Sequence, residues 1–213
     1  MTHRSGTTEK TSKSVLLALA LLPAVLYANT LANSFQYDDF SLILNNLYVH
    51  SLSGIGHFFV SPQLISNVPL SGYRPLTMAT FVLNYAVGGE STMGYHLVNV
   101  AIHIVNTLLV YAVSLVLMRT FEIGRSRNAA LVVALLFASH PINPQAINYI
   151  SGRSTLLVGC FSLLCFLLYA RSREKAGTTE GNIALAGSLA AYLCALLSKE
   201  EAVAAFGLLA AYE

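Results

Sequence analysis

Two adjacent carboxylates, Asp38 and Asp39, stand shortly after the first membrane-length apolar run, residues 14–32. Asp38 lies six positions after Ala32, a reach of about 9 Å if the segment is helical. We therefore expect both carboxylates near one surface of a membrane, where one of them can act as a base on a substrate at headgroup height. The alternative for this pair is a helix cap or a solvated turn.

Three cations, Arg74, Arg153 and Lys199, are placed beside or within apolar segments on the same predicted side of the membrane as the acidic pair. Ionisable groups at such depths are costly, so each is a functional candidate. Together they could bind the oxygens of a phosphate. The alternative for the two arginines is snorkelling to lipid headgroups. For Ser198-Lys199-Glu200-Glu201 the alternative is a capping box, in which the Ser198 side chain bonds forward and Glu201 reaches back. A capping box leaves Lys199 and Glu200 unexplained.

A polar stripe follows one face of the second predicted span, because its members are offset by zero, three, seven and ten residues: His96, Asn99, His103 and Asn106. Hydrogen bonding between helices is the favoured explanation. A metal site is a poor alternative, because the two histidines lie about 10 Å apart along the axis. We predict no metal ligands and no cofactor; the sequence does not decide whether a divalent metal ion assists the reaction. Further candidates for a cavity lining are Tyr73, His96, His140 and Glu200.

The composition is that of a membrane protein, with 55% hydrophobic and only 10% charged residues. Ordinary soluble domains carry about 25% charged residues. A basic patch with interleaved aromatic residues is missing from the sequence, so nucleic acid is not an expected partner. The three cysteines lie inside apolar runs and are interpreted as small buried hydrophobic residues.

The apolar runs predict an all-α, polytopic helical membrane protein with about five to six membrane segments. The runs are residues 14–32, 96–118, 129–138, 144–170, 183–197 and a final one that reaches Glu213. The shorter run 75–87 covers only about 20 Å, so an interfacial helix is expected there. Pro141 and Pro144 should break the chain before a long helix that begins near Pro144.

The placement of basic residues predicts the orientation of the chain. Nine of its twelve lysines and arginines fall on one side of the alternating topology. By the positive-inside rule, residues 1–13 are then a cytoplasmic tail and residues 33–95 the first extracytoplasmic loop. The acidic pair and the three exceptional cations share the extracytoplasmic side.

Several ordered motifs carry a resemblance to a known family: Tyr37-Asp38-Asp39, Tyr73-Arg74-Pro75-Leu76-Thr77, Gly94-Tyr95-His96-Leu97-Val98-Asn99, His140-Pro141-Ile142, Ser151-Gly152-Arg153 and Leu197-Ser198-Lys199-Glu200. Over residues 14–213 the sequence resembles the membrane half of the transmembrane and tetratricopeptide-repeat family of protein O-mannosyltransferases. The family's remaining spans and its repeat domain are absent from this sequence. A partial transmembrane domain of the GT-C type, without tetratricopeptide repeats, is therefore expected.

The resemblance implies a GT-C glycosyltransferase with a polyprenyl-phosphate sugar as donor, typically dolichyl-phosphate mannose, and a protein as acceptor. By matching position, Asp38 or Asp39 would be the base, and Arg74, Arg153 and Lys199 would contact the donor phosphate. Gln145 departs from the family, because many relatives carry an acidic residue there. The implied location is the endoplasmic reticulum in a eukaryote and the inner membrane in a prokaryote.

The leading hypothesis is an inverting sugar transfer with Asp38 as the preferred base and Asp39 as an orienting or capping group. One alternative is a transporter or flippase for a lipid-linked or anionic solute, which would also need a cavity, a broken helix and buried cations. Transporters often show paired interruptions in two repeated halves, and only one interruption is found here. The other alternative is a non-catalytic membrane scaffold, in which the acidic pair only caps a helix.

Overall fold

The computed structural model describes residues 12–61, 72–123 and 127–213. These ranges are helical with connecting turns and contain no strand, which confirms the predicted all-α class. Three parts of the sequence predictions lie outside the described ranges: residues 1–11 of the predicted tail, residues 62–71 of the first loop and Arg125 of the basic cluster after the second span. The α-helices are α1 (Lys13–Leu26), α2 (Gly54–Val60), α3 (Pro75–Gly88), α4 (Thr92–Thr120), α5 (Arg127–Ala138), α6 (Asn143–Ile147), α7 (Arg153–Glu174), α8 (Thr179–Ser198) and α9 (Ala204–Tyr212).

Three helical stretches in the described ranges are long and apolar enough to cross a membrane: Thr92–Thr120, Ile150–Glu174 and Thr179–Ser198. At 1.5 Å per residue they measure about 30–43 Å, against a hydrocarbon thickness of about 30 Å. Lys13–Leu26 and Arg127–Ala138 are apolar but shorter. The chain is a membrane protein, and the count of five to six membrane segments stays a prediction.

The long helix α4 is the centre of the membrane part, because α1, α5 and α7 all pack against it, and α7 packs along α8. The contact of α5 with its neighbours uses small residues. Ala130, Ala134 and Ala138 are fully buried and recur every four residues, so they lie on one face. Small residues on such a face let helix backbones approach closely, which favours packing inside a bilayer.

A hydrophobic cluster ties the first loop to the membrane helices. It joins the segment after α1 to α2, α3, the start of α4 and the turn before α7 through Ile43, Val49, Phe58, Met78, Phe81, Val82, Tyr95 and Ile150. Ile43 belongs to the short π-helix Phe40–Leu44 that directly follows the acidic pair. The cluster therefore fixes the position of Asp38 and Asp39 relative to α3 and α4.

The predicted interfacial helix over residues 75–87 is present as α3, with Pro75 in its first turn. Proline suits this position because its missing N–H would be unpaired there in any case. The helix ends before Gly89, whose φ of 56° is one that side-chain-bearing residues seldom adopt.

The prediction of one continuous helix over residues 144–170 is wrong. The short helix α6 ends at Ile147, Tyr149 is extended, and a 3₁₀ turn over Ile150–Gly152 precedes α7. Long-range hydrogen bonds replace the missing helical ones, since Asn99 Nδ2 donates to the carbonyls of Ile147, Tyr149 and Ile150 at 3.2–3.4 Å. Backbone groups freed by a break in a membrane helix need such partners.

The first apolar run is also interrupted. Instead of one helix over residues 14–32, α1 ends at Leu26 with Pro23 inside it, and a 3₁₀ helix follows over Ala28–Ala32. Proline within a helix removes one backbone hydrogen bond and clashes with the preceding turn. The chain therefore leaves α1 one turn after Pro23 and reaches Asp38 through irregular structure.

Candidate functional site

A cavity of about 520 Å³ lies between the first loop, the start of α3, the α6–α7 connection and the end of α8. Its volume falls in the range of about 300–1,000 Å³ that is typical of ligand sites. Three of the sequence-predicted residues, Asp38, Arg74 and Lys199, line it together. The other lining residues are Leu42, Ile142, Asn143, Gln145, Ala146, Tyr149, Ser151, Gly152, Ser154, Thr155 and Glu201.

Asp38 is held at this cavity through its backbone, which leaves its carboxylate available. Its N–H donates to the Tyr149 hydroxyl at 2.8 Å, and its carbonyl accepts from Ser41 Oγ at 3.0 Å. The preceding residue, Tyr37, has a positive φ of 43°, a strained conformation for a side-chain-bearing residue. The Asp38 side chain itself is exposed.

Asp39 has the opposite environment, because it is only 1% exposed. Its Oδ2 accepts from the backbone N–H of Gln36 at 3.0 Å, and its Oδ1 accepts from the N–H of Ser151 at 2.9 Å. Burial raises the pKa of the Asp39 carboxyl above its ordinary value, and these hydrogen bonds oppose that rise. Asp39 thus connects the first loop to the turn before α7, whereas Asp38 faces the cavity.

Arg74 is the residue that precedes α3, and its guanidinium pairs with Glu200. The Nη2 atom lies 2.9 Å from Oε1 and Nε lies 3.3 Å from Oε2, a two-pronged contact. This pairing lowers the pKa of the Glu200 carboxyl.

The neighbouring Tyr73 does not line the described cavity, since its hydroxyl donates to the Phe59 carbonyl at 2.8 Å. Gly72 is close to the pair, because a Cβ there would come within 2.6 Å of Glu200 Oε2.

Lys199 reaches the same cavity from the end of α8. Its Nζ lies 2.6 Å from Glu201 Oε1 and 3.2 Å from Thr155 Oγ1. The end of α8 is positioned by α3, because Thr77 Oγ1 donates to the Ser198 carbonyl at 3.0 Å. This contact connects the elements that carry Arg74 and Lys199.

The capping box considered for Ser198 and Glu201 does not form. Ser198 Oγ donates instead to the Cys194 carbonyl at 2.8 Å, one turn back in α8. The carboxylate of Glu201 pairs with Lys199 rather than with the backbone. The physical reason is the extended backbone of Lys199, with φ −166° and ψ 145°, which separates α8 from the 3₁₀ helix Glu200–Val203.

Arg153 lies in the core and does not line the described cavity. Its guanidinium donates to Asn99 Oδ1 at 2.8 Å, to Thr80 O at 3.3 Å and Oγ1 at 3.2 Å, and to the Tyr95 carbonyl at 2.9 Å. The Phe81 ring centroid is 4.7 Å from its Cζ, within the range of a cation–π contact. These contacts use the guanidinium to join α3, α4 and α7.

The polar stripe of α4 makes contacts between elements, as its spacing suggested. His103 Nε2 donates to the Ala138 carbonyl at 3.2 Å, Asn106 Nδ2 donates to the Leu156 carbonyl at 2.9 Å, and His96 Nδ1 lies 3.3 Å from Thr30 Oγ1. His96 is fully buried, so it packs inside the protein and lines none of the described cavities. His140 is exposed, and its Nδ1 accepts from the N–H of Ile142 at 3.3 Å, a local cap after α5.

Within the described ranges, no group of three histidine, cysteine, aspartate or glutamate side chains is placed to hold a metal ion. Four charged side chains line the cavity, two carboxylates and two cations: Asp38, Glu201, Arg74 and Lys199. Such a set can bind an anion through its cations and accept a proton through its carboxylates.

Comparison with known proteins identifies relatives of this chain. A protein O-mannosyl-transferase of Caenorhabditis elegans, F38B6.6, is 35% identical over 75% of the chain. TMTC4 of Mus musculus is 31% identical over 92% of it, and Tmtc1 of Drosophila melanogaster is 36% identical over 89% of it; both are also named protein O-mannosyl-transferases. The chain is homologous to the TMTC protein O-mannosyl-transferases. The resemblance expected from the motifs is thereby confirmed.

The chain spans 23%, 29% and 21% of the length of these three relatives, respectively. No family model matches the sequence, and no solved structure matches the fold significantly. The GT-C assignment therefore stays a prediction.

Sequence reasoning missed two residues of this cavity, Tyr149 and Thr155, whose hydroxyls contact Asp38 and Lys199. Tyr149 lies in the break between α6 and α7, and the sequence predicted a continuous helix there. The signal that could have found it is Gly152. A Cβ at this position would come within 2.5 Å of the Ala146 carbonyl oxygen, so the turn requires glycine.

Proposed function

We propose that this chain is the membrane part of a glycosyltransferase that transfers mannose from a polyprenyl phosphate to a hydroxyl group of a protein. The observation that carries the proposal is the meeting of Asp38, Arg74 and Lys199 in one cavity, although they are far apart in sequence. The names of the relatives support the sugar and the protein acceptor. The arrangement supports the GT-C type, with the reaction on the extracytoplasmic side.

In the proposed reaction the carboxylate of Asp38 takes the proton of the acceptor hydroxyl. The acceptor oxygen forms a bond to the anomeric carbon of the sugar while the bond from that carbon to the phosphate oxygen breaks. Attack opposite the leaving group inverts the anomeric centre. The lipid phosphate leaves with the electron pair, and Arg74 and Lys199 stabilise its increasing negative charge, which accelerates the step because the charge is greater in the transition state.

Both proposed phosphate-binding cations have carboxylate partners, Glu200 for Arg74 and Glu201 for Lys199. These carboxylates are 59% and 61% exposed, whereas the Arg74 and Lys199 side chains are 28% and 16% exposed, so water reaches each ion pair from its carboxylate side and weakens the attraction. A donor phosphate can therefore replace them at small cost. Bidentate contact with a phosphate suits the planar guanidinium of Arg74, and the ammonium of Lys199 adds a point charge.

The other two predicted residues have supporting parts in this proposal. Asp39 holds the loop that carries Asp38 against the turn before α7, through the N–H of Ser151. Arg153 follows that turn directly and locks it to α3 and α4. We infer that both position the base and that neither contacts the donor.

The test uses the full-length protein, purified in detergent and supplied with mannosyl polyprenyl phosphate and a threonine-containing acceptor peptide. Asp38→Asn should slow transfer by about 10²–10⁴-fold, the usual contribution of a general base, with donor affinity retained. Glu90→Gln is the matched control, because Glu90 is an exposed carboxylate of the same loop that lines none of the described cavities.

Two results would end the proposal. One is undiminished transfer by Asp38→Asn and by Asp39→Asn. The other is flux of a lipid-linked or anionic solute across liposomes without any sugar transfer, which would favour a transporter.

A further inference from the structure

A second cavity, of about 430 Å³, adjoins the first and differs from it in chemistry. Its lining contains no charged side chain in the described ranges and consists of Asn33, Gln36, Tyr37, Pro144, Gln145, Asn148 and Tyr149. We name it the amide groove, because four of these seven residues carry carboxamides. A carboxamide offers both a hydrogen-bond donor and an acceptor, which matches the alternating C=O and N–H groups of a polypeptide backbone.

The proposed base lies at the junction of the two cavities. Gln145 and Tyr149 line both of them. Tyr149 accepts the hydrogen bond of the Asp38 backbone N–H, and the neighbouring Tyr37 lines the amide groove. A group bound in the amide groove thus lies beside Tyr149 and Tyr37, next to the residue proposed as the base.

We propose that the amide groove binds the acceptor polypeptide through its backbone, on one side of the hydroxyl group that receives the sugar. This inference rests on the proposed function, since it takes the acceptor to be a protein. An anionic donor belongs in the cavity with Arg74 and Lys199, which leaves the uncharged cavity for an uncharged partner.

Two features favour a chain over a small sugar in this groove. The groove is open to solvent, with Tyr37 84% exposed, so a bound segment can continue out of it. Asn148 Oδ1 is buried and accepts no hydrogen bond in the described part of the protein, and a peptide N–H is a donor that can satisfy such an acceptor. Recognition through backbone groups predicts a broad tolerance for the side chains beside the acceptor residue.

The experiment measures binding of a fluorescent peptide to the full-length protein, with one central threonine between alanines and lysines at both ends. N-methylation of the backbone beside the threonine should weaken binding about tenfold or more, because each methyl group removes a donor. Replacement of the flanking alanines by serine or valine should change affinity less than about threefold. The double variant Gln36→Leu and Asn148→Leu should weaken binding similarly, and the matched control Asn45→Leu, an exposed amide that lines neither cavity, should not.

Failure of this inference can be distinguished from failure of the proposed function. Three results overturn the inference, whether or not sugar transfer occurs. They are the absence of peptide binding, peptide binding that is insensitive to N-methylation, and peptide binding that is lost on competition with methyl mannoside. Backbone-dependent binding without any sugar transfer supports the inference and counts against the enzyme.

Discussion

Replacement of Arg153 by methionine separates a structural arginine from a donor-binding one. The guanidinium makes four hydrogen-bond contacts at 2.8–3.3 Å, to Asn99, Thr80 and Tyr95, from a fully buried position. At about 0.6–1.5 kcal/mol for each contact, Arg153→Met should lower the free energy of unfolding by about 2–6 kcal/mol. For a domain of this size that corresponds to a fall in Tm of at least about 5 °C.

The assay is thermal unfolding of the full-length protein in detergent, followed by donor binding at a temperature where the variant is folded. Arg153→Lys should be destabilised too, because one ammonium cannot reproduce the fork of a guanidinium. The control is Arg74→Met, whose partly exposed ion pair should change stability by less than about 1 kcal/mol while donor affinity falls. Our interpretation of Arg153 would be refuted if Arg153→Met had the Tm of the wild type and lost as much donor affinity as Arg74→Met.

Three further predictions concern the ionisable groups around the cavity. Lys199→Met should weaken binding of the mannosyl polyprenyl phosphate, measured by titration, and reduce its dependence on salt, and an unchanged salt dependence would contradict a contact with phosphate. Glu200→Gln should tighten donor binding by up to about fivefold, since it frees Arg74 from an exposed pair, and weaker binding would show that Glu200 positions Arg74 instead. Burial raises the pKa of the Asp39 carboxyl above 3.8, so the folded protein binds this proton more tightly than the unfolded chain does. The resulting contribution to the free energy of unfolding is complete below pH 3.8 and is lost as the pH rises through the folded-state pKa. Thermal unfolding at several pH values should therefore show a decline over that window in the wild type that Asp39→Asn lacks, and parallel curves would contradict it.

Local sequence determined the all-α class of the protein and the positions of several helices, but not the breaks after Leu26 and Ile147. The apolar runs predicted membrane helices, and Pro75 and Gly89 marked the ends of α3 nearly to the residue, because proline and glycine act on the backbone where they stand. The spacing of the α4 stripe likewise predicted polar contacts between helices, since a helix places such residues on one face.

Tertiary structure decided which of the predicted residues meet. Asp38 and Asp39 are neighbours, yet the N–H of Ser151, which is remote in sequence, draws Asp39 into the core and leaves Asp38 at the cavity. Arg153 and Arg74 looked equivalent, but Asn99 on α4 accepts from one, and Glu200 beyond α8 pairs with the other. At the break over residues 148–152 the only local signal was Gly152, because Asn99 on α4, which is distant in sequence, supplies the hydrogen bonds to its backbone carbonyls. Residue types thus determined what each group can do, and long-range packing determined which of them face one cavity.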